Sequence, residues 1–227
     1  MMLGFEIVGL TYISFSYPGI GNFSFGSGLI YSSPSNRAMQ TAQPLSEILK
    51  KPVNTLDWCH ESLAWNEFTV ADSSGQRNWM FWNDAVRDKF TEKSVLDLRN
   101  DWYKDPFFDA KVGEGVKRVN NALDEFLKGF GYIHDRERGV YRLTGETGKR
   151  IAIFAHQGFS MIFFSSLLDI PYPVFSTRFD ISHSCVSLIN FPSTNRDIVI
   201  PKLLQHSNDS HLYKEGLPTK YNNGFSI

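Results

Sequence analysis

Ile30-Tyr-Ser-Ser-Pro-Ser-Asn-Arg37-Ala-Met-Gln-Thr-Ala42 is the stretch whose reading decides the fold. Leu29, Ile30 and Tyr31 have the apolar, β-prone character of the end of a short buried strand. Ser32 and Ser33 are turn and N-cap residues, and Pro34 suits a first helical turn. Ala38, Ala42, Leu45 and Leu49 then recur at i, i+4, i+7 and i+11, which is one helix face. A strand therefore runs straight into a helix, whose first backbone N–H groups converge on one spot and favour an anion there. Arg37, one turn inside, adds a planar fork suited to phosphate oxygens. Alone, this is a strand-turn-helix unit with a surface arginine. A second junction, Ile151-Ala-Ile-Phe-Ala-His156-Gln-Gly-Phe159, gives it context by putting a histidine where another strand enters a helix.

Outward from these junctions, the helix from Pro34 should end near Lys50, with a kink where Pro44 removes a backbone donor. Residues 53–57 read as a short strand and 58–70 as an acidic, aromatic segment. Residues 76–90 read as a helix whose Trp79, Trp82, Val86 and Phe90 form a core-facing stripe. Residues 95–111, rich in aromatic and acidic side chains, read as a cap over the site. An amphipathic helix over 115–130 has Val116, Val119, Leu123, Phe126 and Phe130 on one face, with Gly129 and Gly131 suited to its end. Residues 134–149 are charged and turn-rich, an exposed hairpin or loop with His134 in solvent. Residues 151–155 are a continuous apolar run, as in a central parallel strand, and 159–168 a buried helix that Pro171 stops. Residues 184–191 and 198–204 read as strands, and the polar tail from His206 wraps the surface. His183 and His206 read as structural or exposed, and His211 alone merits a test near a pocket mouth.

Together the two junctions resemble the histidine phosphatase superfamily, the phosphoglycerate-mutase-like fold. Its members carry "YSSPLxRAxxTA" and, much later, a strand ending in "SHGG" or "AHGG"; Tyr31 to Ala42 and Phe154-Ala-His156-Gln-Gly158 match in that order. Cys59-His60-Glu61, with Glu61 24 residues beyond Arg37, resembles the family's "LRE" acid, and Val112-Gly-Glu-Gly-Val116 its "GES" at a helix start. The likeness spans about residues 28 to 191. It implies a three-layer α/β/α sandwich with a mainly parallel central sheet, in one domain over residues 1–227 with an atypical segment at 1–28. It also implies phosphomonoester hydrolysis through a phosphohistidine, less readily phosphate transfer as in a mutase. Carried over, Arg37, His156 and the backbone N–H of Gln157 hold the phosphate. His156 and Glu61 are the catalytic pair, Glu61 protonating the leaving oxygen and then activating water. Glu67 is a nearby rival to Glu61. The substrate is a small phosphate monoester, and neither metal nor cofactor is called for.

One departure outweighs these matches. The family's nucleophile is a histidine in Arg-His-Gly at the end of its first strand, whereas this sequence has no His before His60 and no Arg before Arg37. Residues 5–15 read as a strand and 16–28 as an irregular Gly/Ser/Pro/Phe loop. Two origins stay open: a foreign N-terminus from a mis-assigned or truncated gene, or a variant in which residues 5–15 replace the usual first strand. The functional alternative is accordingly a non-catalytic phospholigand-binding or interaction protein.

Composition sets the outer bounds. A chain of 227 residues, 42% hydrophobic and 21% charged, has length and apolar content for a sizeable α/β core. A net charge of −1 argues against nucleic acid. Two cysteines make neither a disulfide framework nor a zinc site, so a reducing, cytoplasmic setting is expected. No apolar run is long enough to span a bilayer, and the first residues lack the positive charge of a signal peptide.

Overall fold

Residues 150–156 set the layers. Ile151, Ile153 and Ala155 join one hydrophobic core and Ala152 and Phe154 the other, all five buried. A strand buried on both faces needs cover on both. The computed structural model describes residues 8–15 (backbone only), 28–144, 150–192, 197–217 and 221. In chain order its elements begin with β1 (Val8–Phe15), β2 (Leu29–Ser32), α1 (Asn36–Leu49), β3 (Val53–Thr55), α2 (Glu61–Phe68), β4 (Thr69–Ala71) and β5 (Arg77–Trp79). There follow α3 (Asp84–Thr91), α4 (Lys93–Leu96), α5 (Ala110–Lys128), β6 (Tyr132–Asp135), β7 (Val140–Leu143), β8 (Arg150–His156) and α6 (Gln157–Leu168). The last are α7 (Tyr172–Arg178), β9 (Val186–Phe191), β10 (Ile198–Val199), β11 (Lys202–Asn208) and α8 (Ser210–Lys214). Tight 3-10 turns occupy Asp57–Cys59, Met80–Trp82 and Arg99–Lys104.

The main sheet runs β11-β9-β1-β8-β2-β3. β2 is parallel to β3 and β8, and β1 to β9, while β1 is antiparallel to β8 and β11 to β9. The sheet is thus mainly parallel, and α1 covers one face with Ala38, Ala42, Leu45 and Leu49, the stripe read from sequence. On the other face α5 and α6 bury Val116, Val119, Leu123, Phe159, Phe163 and Leu167. The three-layer α/β/α sandwich expected from the resemblance is therefore present. Of the described helices, none is long and apolar enough to cross a membrane.

β2 and β8 pair as expected, Leu29 opposite Ile151. α1 starts later than its sequence suggested: Ser35, after Pro34, is the N-cap, while Ser32 and Ser33 are buried at the strand end. Lys50 closes it in the left-handed conformation, and Pro44 lies within it.

The tail does not begin at His206, which lies in β11 with its ring against Phe164 and Phe175, while residues 218–220 and 222–227 lie outside the described residues. Three other expectations fail. Residues 76–90 are no single helix. The hairpin β4–β5 turns at Gly75 (φ +83°), a 3-10 turn follows, and Asn83 caps α3 by accepting from the Val86 amide. Residues 95–111 are not merely a cap. Trp102 is buried, stacked on Tyr172 at 5.3 Å and edge-on to Phe90 and Phe108. The third is His134, whose ring lies out of solvent on Tyr141, their centroids 4.1 Å apart.

Candidate functional site

Glu61 is the first residue of α2. The Asp57–Cys59 turn and His60, whose Nδ1 accepts from the Ser62 amide at 3.1 Å, set the start of that helix. Glu61 points inward and is 6% exposed. Its Oε1 accepts from the Gly158 amide at 3.0 Å and its Oε2 from the Phe159 amide at 2.8 Å. Both amides belong to the first turn of α6, directly after His156. The orphan donors that attract an anion to a helix start are here held by a carboxylate from 97 residues earlier.

His156 ends β8, is 1% exposed, and its carbonyl accepts from the Ser160 hydroxyl at 2.7 Å. Gln157 turns its carboxamide to Asp180, Nε2 donating to Oδ1 at 2.6 Å. Burial pushes the Asp180 carboxyl above its ordinary range, against the pull of the Ile181 amide and Gln157. Gly158 is required by a close approach: a Cβ there would lie 2.1 Å from the Trp79 ring. Trp79 in turn packs edge-on to Trp65 at 5.0 Å and stacks on Phe81 at 5.7 Å, so an aromatic wall stands over the start of α6. Beyond it lies a pocket of about 180 Å³ lined by Phe81, Trp82, Arg87, Arg178 and Asp180.

Arg37 lies in the first turn of α1, exposed. The Ser33 amide, just after β2, donates to the Phe154 carbonyl at 2.8 Å, so β2 and β8 end together and α1 and α6 start from one sheet edge. Arg37, His156, Gln157 and Glu61 thus come from that edge or from the helix start above it. Glu67 has a different place. It forms a double hydrogen-bonded ion pair with Arg118 at 2.6 Å, and Arg118 also donates to the Trp58 carbonyl. Gly115 lets it cross α5, since a Cβ there would meet the Glu67 side chain at 2.7 Å. Gly113 is likewise required by packing, because a Cβ there would lie 2.8 Å from the Tyr103 ring.

On the far side of β8 the neighbouring strand is β1, running the opposite way, and its residue opposite His156 is Val8. Asp180 and Trp79 were not foreseen as site residues. The spacing of Trp79 marks it as core, which it is, as well as part of the wall over α6, and Asp180 has no motif around it.

The sequence model of the histidine phosphatase superfamily (branch 1) matches residues 24–201. Among solved structures, the mycobacterial glucosyl-3-phosphoglycerate phosphatase has a TM-score of 0.46 and 16% identity over 89% of this chain and 98% of that one. A structure described as mycobacterial hydrolase 2 has a TM-score of 0.46 and 15% identity over 93% of this chain and 96% of that one. No curated protein matches the chain.

Proposed function

The chain belongs to the histidine phosphatase superfamily, and on that premise we propose that it takes a small phosphate monoester at the edge formed by Arg37, His156 and Gln157, with Glu61 as the proton donor to the leaving oxygen. The observation that carries this reading is the Glu61 carboxylate on the second and third amides of α6, those of Gly158 and Phe159. A phosphate dianion suits the same donors and brings more charge to them. On binding, the phosphate takes the Gly158 and Phe159 amides and frees the carboxylate, which takes up a proton from solvent and, as the acid, faces the ester oxygen it protonates. The leaving group extends toward the pocket of Phe81 and Trp82, where a ring or apolar surface finds cover.

A second reading has its own support. Val8 is the residue opposite His156, so the chain brings no second imidazole to that position of the sheet. In that case the site binds phosphate esters without turning them over. Both readings predict oxyanion binding, and hydrolysis separates them.

Vanadate and phosphate titrations at pH 6 and pH 8 should give binding near the millimolar range, about 4 kcal/mol, weakened by Arg37→Ala. Equal binding by wild type and Arg37→Ala would remove Arg37 from the site and the reading with it. Hydrolysis of p-nitrophenyl phosphate is expected to be slow. A phosphohistidine trapped at His156 during robust turnover would make His156 the nucleophile and exclude the non-catalytic reading.

A further inference from the structure

A broad cleft of about 770 Å³ lies at the other end of α6, beside Leu168 and Asp169. The twelve residues of α6 put it about 18 Å from His156. Four segments line it: the Arg99–Lys104 turn, α5 at Asn120, the turn between β6 and β7, and the C-terminal end of α6. Its volume is in the range of small-molecule sites.

The polar groups along it are unbalanced. Arg99 and Arg138 are exposed, and neither guanidinium makes an ion pair or hydrogen bond among the described residues. Arg136, by contrast, is fixed. Its Nε and Nη2 both donate to Asp124 at 2.7 Å, and Nη2 also reaches the Asn120 carbonyl and Ser166 Oγ. Its Nη1 makes no hydrogen bond among the described residues. Asn120 is fixed as well, because its Oδ1 accepts from the Ser166 hydroxyl at 2.6 Å, which leaves the amide N–H groups as its remaining capacity. Two of the three carboxylates in the wall are already engaged, Asp101 by Lys104 at 2.8 Å and Asp169 by His134 at 2.7 Å. Only Glu137 stands without an ion pair among the described residues. The uncommitted groups are therefore mostly donors, two of them full cations. Arg99 is held at φ +52°, a strained conformation of the kind found at ligand sites.

We propose that this cleft is a second anion site, for a small phosphorylated molecule, with Arg99 and Arg138 as its adjustable cations and the anchored Arg136–Asn120 pair as its floor. An arginine presents a planar fork to phosphate oxygens, and Arg99 and Arg138 reach the cleft from two different segments. The anchored pair supplies donors whose position is set before the ligand arrives, so little ordering accompanies their use. This site is separate from the one proposed around Arg37 and does not depend on it.

Inorganic pyrophosphate is the probe. Calorimetric titration of the full chain should show a binding event that survives Arg37→Ala. In an Arg99→Ala/Arg138→Ala double variant that event should weaken at least tenfold, and in wild type it should weaken steeply with added salt. Both arginines are exposed and neither guanidinium makes an ion pair or hydrogen bond among the described residues, so the double variant should keep the wild-type melting temperature. Unchanged pyrophosphate binding in the double variant, or an event that disappears with Arg37→Ala alone, would overturn the proposal. Survival of this event in Arg37→Ala leaves the first site untouched, because that site is read by its own vanadate titration.

Discussion

His134 gives the sharpest test of the packing. Its Nδ1 lies 2.9 Å from Asp124 Oδ1 and its Nε2 2.7 Å from Asp169 Oδ2, with the ring out of solvent. An ionised carboxylate only accepts, so both ring nitrogens must donate and the imidazole must be the cation. Burial pushes its pKa down, but Asp124 and Asp169 outweigh burial and Arg136 and hold it above the ordinary value near ~6.5. Tyr141, stacked on the ring, is itself pushed far up by burial and stays neutral throughout. A histidine whose pKa rises on folding stabilises the fold fully below its unfolded pKa, and loses that stabilisation as pH climbs through the folded one. The loss therefore begins above pH ~6.5.

The magnitude follows from the two contacts. Charge-assisted hydrogen bonds are worth about 1.5–3 kcal/mol each. His134→Phe keeps a ring against Tyr141 and removes both. Asp124 retains Arg136, and Asp169 lines the open cleft and regains water, so the net cost should be about 2–4 kcal/mol rather than the full sum. For a chain of this length that lowers the melting temperature by about 5–12 °C. Urea melts of wild type and His134→Phe at pH 6 and pH 9 measure the gap, which should shrink at the higher pH. A gap equal at both, or a His134 imidazole that titrates by NMR at the ordinary value, would refute the imidazolium clamp.

Two other outcomes test the site and the core. Gly158→Ala should cost about 2 kcal/mol or more, because its new methyl falls on the Trp79 ring at the start of α6. Trp79→Leu in the same chain should recover part of it, and an additive double variant in chemical melts would show that the two do not touch. Cys59 and Cys185 are both buried. Burial raises the Cys59 thiol against the pull of Arg118, and pushes Cys185 up to about 11 against its Ser207 and Ser182 hydrogen bonds. A disulfide reagent at pH 8 should therefore label neither in minutes and both after unfolding, and rapid native labelling would contradict that burial.

What was legible in the sequence was what is local. The apolar run at 151–155 is uninterrupted, with β-branched Ile151 and Ile153, and it forms the strand it suggests. The Ala38, Ala42, Leu45 and Leu49 stripe likewise lands on the sheet. The spacing of Trp79, Trp82, Val86 and Phe90 also fits a helix, yet Gly75 and Asn83 divide that stretch into hairpin, turn and short helix. Those two residues carry the turn and the cap, and local turn chemistry prevails there over the periodicity. His134 failed for another reason. Its neighbours Asp135, Arg136, Glu137 and Arg138 read as a solvated run, and the carboxylates that make its burial tolerable come from α5 and the end of α6. Glu61 shows the same distance effect. Its offset from Arg37 suggested an acid near the site, but nothing local tells that both of its oxygens close a helix 97 residues away.

Strand direction lies still further from what a sequence can express. The in-out alternation of a strand is the same read forward or backward, so residues 8–15 announce a strand without announcing its polarity. Polarity is set by which neighbours the strand pairs with. Here β1 lies between β8 and β9, parallel to one and antiparallel to the other, and the pairing with β8 puts Val8 opposite His156. A strand of the opposite polarity in that slot would bring its C-terminal end to the same edge, where the family places its Arg-His-Gly. The difference between an edge with one imidazole and an edge with two therefore turns on the direction of eight residues as well as on their identity. It also follows that replacing Val8 by histidine need not rebuild the family's nucleophile, because the backbone approaching that point runs the other way.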